Sequence, residues 1–333
     1  MLTFLPAPVV GAIMSVVLIL HTLLWATLVY VAIFLKLLAP EGRARDAASR
    51  LTAWLAQQWA VLNTVYVGAL LKIDWDVRIE AELSPKGQYL VCANHQSWND
   101  IFVLMQAFGR RAPFFKFFIK QELIWVPVLG LCWWGLDYPF MKRYTAEQVA
   151  RDPSLKGKDL DTTRKACERY RNQPVLILNF LEGTRFTKAK HARQQSPYAH
   201  LLKPKSGGFA FTLSALGQRL NSLLDVTIVY PQGAVSFWDF ATGRVSRVIV
   251  DVRERSLPRG LLGGDYLDDG EYRTRFQAWV GEVWREKDAL IEEVLAESRG
   301  RSAPSIGPRV SRGAVSPPSL RIRAKKIGAA VRR

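Results

Sequence analysis

Two side chains that can move a proton lie close together in this sequence, directly after a short apolar run. His95 and Asp100 follow residues 88–94, QYLVCAN, which have the composition of a buried strand. An imidazole has an unperturbed pKa of about 6.5 and can act as a general base near neutral pH. A carboxylate that accepts a hydrogen bond from one ring nitrogen fixes the tautomer and leaves the other nitrogen free to take a proton. The spacing is therefore typical of a base and the acid that orients it.

A purely structural interpretation of the same residues is also open. Ser97 and Asp100 have the spacing of a helix capping box, in which two side chains satisfy the first backbone amides of a helix. On that interpretation His95 is an ordinary histidine at the end of a strand. Ser97 lacks the G-x-S-x-G turn that exposes a nucleophilic serine. A base at His95 would therefore act on a hydroxyl of the substrate.

A second group of polar residues follows another apolar run. Residues 174–180, PVLILNF, lead into Glu182, Gly183, Thr184 and Arg185. Alone, this segment fits a strand-to-loop turn with a solvated arginine. Together, N-H-x4-D after one strand and F-x-E-G-T-R after another resemble the glycerophospholipid acyltransferase family. The best-known activity of that family is 1-acyl-glycerol-3-phosphate O-acyltransferase.

Further segments extend the resemblance to residues 85–235. They are Lys120-Gln121-Glu122-Leu123 with Pro127 and Gly130, then Arg143, Lys205 with Gly207, and Val229-Tyr230-Pro231. The segments MKRYT, GKDLDTTRKACE, FLEGTRFTKAKH and GGDYLDD are most similar to a branch of bacterial inner-membrane acyltransferases that groups with lysocardiolipin acyltransferases. Leu181 stands where the family commonly has proline, a difference that bears on how this loop meets the substrate.

The resemblance implies a reaction and a set of site residues. The reaction is transfer of a fatty acyl group from a thioester, acyl-CoA or acyl carrier protein, to the sn-2 hydroxyl of 1-acyl-glycerol-3-phosphate, giving phosphatidic acid. His95 would be the base and Asp100 would orient it. The expected substrate-binding residues are Glu182, Gly183, Thr184, Arg185, Lys120, Arg143 and Lys205, whose cations would hold the phosphate. No metal is expected, and no cofactor beyond the thioester co-substrate.

Three alternatives stay open from the sequence. Another lysophospholipid acceptor, such as lysophosphatidylglycerol, lysocardiolipin or lysophosphatidylinositol, fits the same motifs. A membrane-anchored lipid or thioester hydrolase would use water in place of the lipid alcohol. A basic scaffold for nucleic acid or anionic lipid would not require His95 and Asp100 at this spacing. The expected partners are therefore lysophospholipid, acyl thioester, membrane lipids and acyl carrier protein, and no nucleic acid.

The charge and the cysteines bound the class of protein. A net charge of +17 suits nucleic acid, anionic lipid or phosphorylated substrates without choosing among them. Residues 301–333 hold nine of the basic residues and no acidic one. Cys92, Cys132 and Cys167 are far apart in the sequence, which is more typical of buried thiols in a reducing compartment than of disulfides or a metal site.

The N-terminal segment predicts a membrane helix. From Pro8 the chain is almost wholly apolar and uncharged until Lys36, and about 20 apolar residues are enough to cross a bilayer core. The absence of a preceding cation and the length of the run argue against a cleaved signal peptide. The cations that follow place the remainder in the cytoplasm by the positive-inside rule. The expected location is the cell inner membrane, with a cytoplasmic catalytic domain.

Downstream, apolar runs alternate with helical stretches. The expected strands are DWDVRI, QYLVCAN, PVLILNF, DVTIVYP and SRVIVDV, and the expected helices cover 44–72, 99–109, 159–172, 206–220 and 271–298. This alternation predicts an α/β fold with a mixed, largely parallel sheet flanked by helices, and the resemblance makes it glycerol-3-phosphate acyltransferase-like. The expected organisation is a transmembrane anchor over 1–40, an amphipathic helix over 41–75 on the anchor or membrane surface, a catalytic domain over 76–298, and a disordered basic tail over 299–333.

One aromatic segment, residues 114–143, allows three interpretations. It is interrupted by Pro127, Gly130 and Gly135. It could be buried core, or a second membrane span, for which the run between Glu122 and Asp137 is short. The third interpretation is an interfacial surface with an apolar groove for a lipid chain.

Overall fold

The computed structural model describes most of the chain. The described residues are 4–142, 146–152, 173–216, 220–256, 258–302 and 321–323, together with Leu2, Ser154, Lys165, Cys167, Glu168 and Tyr170. Arg143 lies outside the described residues, as does most of the helix expected over 159–172. Within the described ranges a pair of long helices is followed by an α/β domain.

The first two helices run antiparallel to each other. They are α1 (Ala7–Leu38) and α2 (Arg43–Leu70). Trp59 of α2 contacts α1, where its indole N–H donates to Thr22 Oγ1 at 3.3 Å. The Leu2 N–H donates to the Leu70 carbonyl at 3.3 Å, so the start of the chain lies beside the end of α2. Many large apolar side chains of α1 face away from the protein, among them Val16, Ile19, Leu20, Leu24, Val31 and Phe34.

The α/β domain is built on a seven-stranded sheet. Its strands are β1 (Asp74–Glu80), β2 (Gln88–Ala93), β3 (Phe115–Phe117), β6 (Val175–Phe180), β7 (Ser222–Val229), β8 (Arg247–Arg255) and β9 (Arg321–Arg323), in the order β3-β6-β2-β7-β8-β1-β9. Strands β3, β6, β2 and β7 are parallel, and so are β8, β1 and β9. The two blocks meet where β7 pairs antiparallel with β8. The predicted mixed, largely parallel sheet is confirmed.

Helices cover both faces of this sheet. They are α3 (Asp100–Phe108), α4 (Leu129–Gly135), α5 (Ala146–Arg151), α6 (Lys188–Gln194), α7 (Gly207–Leu216), α8 (Phe237–Ala241) and α9 (Gly270–Ser302). Successive residues of β2 point to opposite faces, as in any strand. Val91 and Ala93 pack in the core formed with α3, α8 and the first part of α1. Leu90 and Cys92 pack in a second core formed with α7 and α9.

The aromatic segment 114–143 folds into several short elements. After β3 come β4 (Ile119–Lys120), a 3-10 turn (Gln121–Trp125), α4 and β5 (Phe140–Met141). None of these is long enough to cross a bilayer, and among the described residues only α1 has the length and composition of a membrane span. Phe115 and Tyr138 are buried, whereas Trp125 is 85% exposed. The segment therefore combines a core side with an exposed aromatic side.

The α/β domain contacts α1 near both of its ends. Near the start, Gly11 packs so closely on α8 that a Cβ there would lie 2.7 Å from Thr242 Cγ2. Near the end, Lys36 Nζ forms an ion pair with Asp137 Oδ2 at 2.6 Å, and the Tyr30 hydroxyl donates to the Val128 carbonyl at 2.7 Å. At 1.5 Å per residue, Gly11 and Lys36 are about 37 Å apart along the helix.

Two parts of the expected disordered tail are ordered. Helix α9 continues to Ser302, and β9 extends the sheet beside β1. An edge strand presents unpaired backbone amides and carbonyls that another segment can pair with, whatever its composition. Composition alone did not predict β9, because this pairing depends on backbone groups. The other residues of the tail beyond Ser302 lie outside the described residues.

Candidate active site

His95 lies just beyond the carboxyl end of β2, and Asp100 holds its ring. Nδ1 is 2.8 Å from Asp100 Oδ2. The Asp100 side chain has no exposed surface, whereas the His95 side chain is 16% exposed. The Phe180 ring stacks on the imidazole with centroids 4.0 Å apart and 16° between the planes. The imidazole is thus fixed in plane and direction, and its Nε2 is left for a substrate.

Asp100 also serves the backbone at the start of α3. Its Oδ2 accepts the amide N–H groups of Gln96 at 2.7 Å and Ser97 at 3.0 Å. The Ser97 hydroxyl accepts the Asn99 N–H at 3.2 Å, whereas the Asp100 N–H donates to the Ser97 carbonyl at 3.2 Å, so the reciprocal half of a capping box is not formed. The backbone role and the imidazole-orienting role therefore belong to one carboxylate and do not exclude each other.

The end of β2 is tied to β7 by a buried asparagine. Asn94 donates from Nδ2 to the Ile228 carbonyl at 2.9 Å and accepts the Ile228 N–H at 2.8 Å. Both bonds involve a side chain with no exposed surface. They take the place of strand pairing at the point where β2 ends, so His95 leaves the sheet from a fixed position.

Glu182 is buried behind His95 and does not face the solvent. Its Oε1 accepts the His95 N–H at 2.7 Å, and its Oε2 accepts the Leu202 N–H at 3.0 Å. Burial is the main cause that raises the pKa of Glu182, to about 7, against the lowering effect of these two amides. The sequence predicts that Glu182 contacts the substrate. In the structure its side chain instead joins the segment that holds His95 to the loop before α7.

Gly183, Thr184 and Arg185 form the exposed side of the same loop. Gly183 has a φ of 64°, which a side chain would strain. Lys205 lies against it, since a Cβ on Gly183 would be 3.1 Å from Lys205 Cδ. The Arg185 guanidinium lies over the ring of Trp98, 4.3 Å from its centroid. The loop thus brings two cations to the side of His95 that faces the solvent.

Of the other two expected cations, only Lys120 falls among the described residues. Lys120 is exposed at the end of β4. None of its contacts joins it to the Glu182–Arg185 loop. Arg143 is outside the described residues, so its expected role stays a prediction.

An apolar cavity of about 360 Å³ opens beside the imidazole. Its walls come from α1, α2, α3, the aromatic segment and the end of β6: Thr22, Trp25, Ala26, Val29, Ala56, Trp59, His95, Trp98, Ile101, Met105, Phe114, Phe115, Phe117, Leu123, Leu129, Cys132, Trp133, Leu136, Tyr138 and Phe180. The volume is within the range of about 300–1,000 Å³ that ligand sites usually have. Trp98 borders the cavity and also carries Arg185, so the apolar and cationic parts of the site meet at one ring.

The cysteines lie apart from this chemistry. Cys92, Cys132 and Cys167 are all buried and unbridged. Among the described residues there is no group of three or more His, Cys, Asp or Glu side chains that could hold a metal ion. Cys132 borders the apolar cavity as one of its small apolar groups.

A family model covers the segment that carries these residues. Residues 75–231 match the model described as Acyltransferase. Over these residues the chain is similar to the acyltransferase family. The match includes both the His95–Asp100 and Glu182–Arg185 segments, and α1 and α2 lie outside it.

The chain is also similar to individual proteins. It is 26% identical over 293 residues to 1-acyl-sn-glycerol-3-phosphate acyltransferase delta of Homo sapiens, covering 84% of this chain and 72% of that protein. It is 24% identical over 260 residues to 1-acyl-sn-glycerol-3-phosphate acyltransferase 2 of Brassica oleracea, covering 74% and 60%. Among solved structures, the 1-acyl-sn-glycerophosphate (LPA) acyltransferase PlsC of Thermotoga maritima aligns over 89% of this chain and 97% of that chain, with a TM-score of 0.48 and 15% identity.

Sequence reasoning missed several residues of the candidate site. Lys190 donates from Nζ to Thr184 Oγ1 at 2.7 Å and to the Arg185 carbonyl at 3.0 Å, and so fixes the cationic loop from α6. Phe180 and Trp98 stood inside the recognised motifs, but nothing in their spacing indicated ring stacking. Their position within these motifs was the one available signal.

We expect Glu182→Gln to lower both thermal stability and activity. The amide NH2 of glutamine would face a backbone N–H that the carboxylate accepts, leaving one buried donor unpaired. The activity loss should appear in kcat, because the His95 backbone is displaced while the outer substrate contacts are kept. Glu254→Gln, on the exposed side of β8, is the matched control. Unchanged kcat and Tm in Glu182→Gln would contradict the role of Glu182 as a support.

A comparison of the wild type with Glu182→Gln also gives a pH test. The pKa of Glu182 is about 7 in the folded protein, above its ordinary value of 4.5. Folding therefore favours the protonated side chain. Its contribution to stability is therefore present below pH 4.5 and is lost as the pH rises through 7. The Tm of the wild type relative to Glu182→Gln should fall across this window, measured by thermal unfolding in detergent. Parallel Tm curves would show that Glu182 does not titrate there.

Proposed function

We propose that this acyltransferase moves a fatty acyl group from acyl-CoA or acyl carrier protein to the sn-2 hydroxyl of 1-acyl-glycerol-3-phosphate, which gives phosphatidic acid. The observation that carries the proposal is the His95–Asp100 pair at the point where the apolar cavity meets the partly exposed Arg185. In 1-acyl-glycerol-3-phosphate the reacting hydroxyl lies between the acyl chain and the phosphate. The molecule therefore matches the order of cavity, His95 and Arg185. The names of the similar proteins support the same acceptor.

The proposed mechanism is direct transfer with His95 as general base. Nε2 takes the proton of the acceptor hydroxyl while the oxygen attacks the thioester carbonyl. The C–S bond then breaks, and the leaving thiolate takes the proton from the imidazolium. Asp100 orients the ring through Nδ1 and stabilises the imidazolium between the two steps. Ser97 donates its hydroxyl to Val235 and is not used as a nucleophile.

The apolar cavity is the proposed site of an acyl chain. Each methylene that leaves water contributes about 0.8 kcal/mol, so a fatty chain has ample free energy to enter. His95 and Phe180 line the cavity together with residues of α1 and α2, and Arg185 is not one of the lining residues. A chain held there would direct its ester end towards the imidazole.

Arg185 is the proposed phosphate ligand, with Lys205 beside it. The guanidinium is held by a ring and not by a carboxylate, since no acidic partner contacts it among the described residues. It can therefore make a bidentate pair with phosphate without first breaking an ion pair. Lys120 and Arg143 are proposed as secondary cations, on the strength of the motif resemblance.

The chain is also proposed to lie in the membrane surface and not to cross it. The α/β domain contacts α1 at Gly11 and at Lys36, which are about 37 Å apart along the helix, whereas a hydrocarbon core is about 30 Å thick. A spanning α1 would place these two contacts on opposite sides of the bilayer. An α1 that lies along the surface keeps both contacts on one side and buries its exposed apolar residues in lipid.

Replacement of the base tests the mechanism. His95→Ala should lose about 10²- to 10⁴-fold in kcat, the usual contribution of a general base. His200→Ala, which removes a partly exposed histidine paired with Glu292, should retain activity. Lipid mass spectrometry of the products with and without lysolipid acceptor is the measurement. Activity of His95→Ala within a few-fold of the wild type would contradict the proposal, and release of free fatty acid without an acceptor would indicate a hydrolase.

Replacement of Arg185 tests the phosphate contact. Arg185→Ala should raise the KM for 1-acyl-glycerol-3-phosphate by about 10- to 150-fold, because a charge-assisted hydrogen bond is worth about 1.5–3 kcal/mol. The KM for the thioester should stay nearly constant, and Arg185→Lys should recover only part of the loss. Arg193→Ala, an exposed arginine on α6, is the control. If Arg185→Ala still preferred the phosphorylated acceptor over neutral monoacylglycerol, the phosphate would bind elsewhere.

Cysteine labelling tests the orientation in the membrane. Phe4→Cys and Glu254→Cys place one exposed thiol before α1 and one on the α/β domain. A membrane-impermeant maleimide should label both positions from the same side of sealed membrane vesicles, since neither thiol crosses the bilayer. The native cysteines are buried, and the unsubstituted protein gives the background. Labelling of the two positions from opposite sides would support the transmembrane anchor instead.

A further inference from the structure

Tyr230 contacts the catalytic carboxylate from a strand that provides no other group to the reaction. It follows β7 directly, and its hydroxyl donates to Asp100 Oδ1 at 2.7 Å. The side chain is 2% exposed, so the contact is closed to water. Burial and the neighbouring carboxylate raise the pKa of Tyr230 well above its ordinary value, which keeps the hydroxyl protonated and therefore a donor.

The hydrogen bonds of Asp100 divide between its two oxygens. Oδ2 is shared by the His95 ring and the Gln96 and Ser97 amides. Oδ1 has Tyr230 as its donor. A buried carboxylate oxygen without a donor raises the proton affinity of the group and favours rotation towards another partner. Either change would weaken the bond from Oδ2 to the imidazole.

We propose that Tyr230 is a positioning residue for acyl transfer, which keeps the Asp100 carboxylate turned so that Oδ2 faces His95. This inference rests on the proposed function, because it assigns no reaction of its own. Tyr230 does not border the apolar cavity or the cationic loop. It should therefore affect the chemical step and leave substrate binding unchanged.

The backbone around Tyr230 is suited to this role. Asn94 pairs with Ile228, two residues earlier, and the Tyr230 carbonyl accepts the Gly233 N–H at 2.9 Å. The hydroxyl is therefore carried by a segment that is fixed to the same strand as His95. A shift of β7 relative to β2 would disturb the tyrosine and the histidine together.

Tyr230→Phe is the direct test, with Tyr272→Phe as the matched control. Tyr272 is also 2% exposed and donates its hydroxyl to a backbone carbonyl, that of Leu261 at 2.9 Å. Tyr230→Phe should lower kcat by about tenfold, within the range expected for a hydrogen bond to a charged group. The KM values for lysolipid and thioester should stay within about twofold of the wild type. Tyr272→Phe should lower Tm to a similar extent and leave kcat unchanged.

A double variant separates positioning from general stability. In an Asp100→Asn background, Tyr230→Phe should cause no further loss of kcat, because two residues that act through one contact are not additive. An additive loss, or an equal loss of kcat in Tyr272→Phe, would overturn the inference. So would a Tyr230→Phe enzyme with wild-type kcat while His95→Ala is inactive, a result that leaves the proposed function intact. If His95→Ala were active, the proposed function would fail first.

Discussion

The buried charge of Asp100 is the constraint on which the rest of the site depends. A carboxylate with no exposed surface is costly unless donors surround it. Its donors come from the His95 ring, from two amides that precede α3, and from the Tyr230 hydroxyl. Any packing that satisfies this carboxylate also turns the imidazole in one direction. The same hydrogen bonds therefore stabilise the buried carboxylate and orient the His95 imidazole.

The parallel arrangement of β6, β2 and β7 explains how these groups meet. Parallel neighbours end at the same edge of a sheet, which is where α/β proteins form their sites. β2 leads to His95, β6 leads to Phe180 and Glu182, and β7 leads to Tyr230. Phe180 stacks on the imidazole while Glu182 holds the His95 amide. The ends of β6 and β7 therefore hold the His95 segment at the end of β2. Phe180 contacts the face of the ring, Glu182 binds the His95 amide, and Tyr230 binds the carboxylate that orients the ring.

The two sides of His95 differ in chemistry, and Trp98 lies where they meet. One side is an apolar cavity whose walls include α1 and α2, and the other is the loop with Arg185 and Lys205. An amphiphile with a reacting hydroxyl between chain and phosphate matches this division. Residues of α1 and α2 therefore line the cavity together with residues of the α/β domain.

The sequence by itself determined five of the seven strands of the main sheet, the sheet class and the local motifs. Residues 88–94 and 174–180 were predictable because strand composition is a local property, and His95 and Asp100 are near enough for their spacing to indicate a contact. The tertiary structure alone decided the partners from distant segments. Tyr230 is 130 residues from Asp100, and Glu182 is 87 residues from His95. It also decided that the α/β domain contacts α1 at Gly11 and at Lys36. Periodicity and composition identify which residues must leave water, but the packing of distant segments determines what they are buried against.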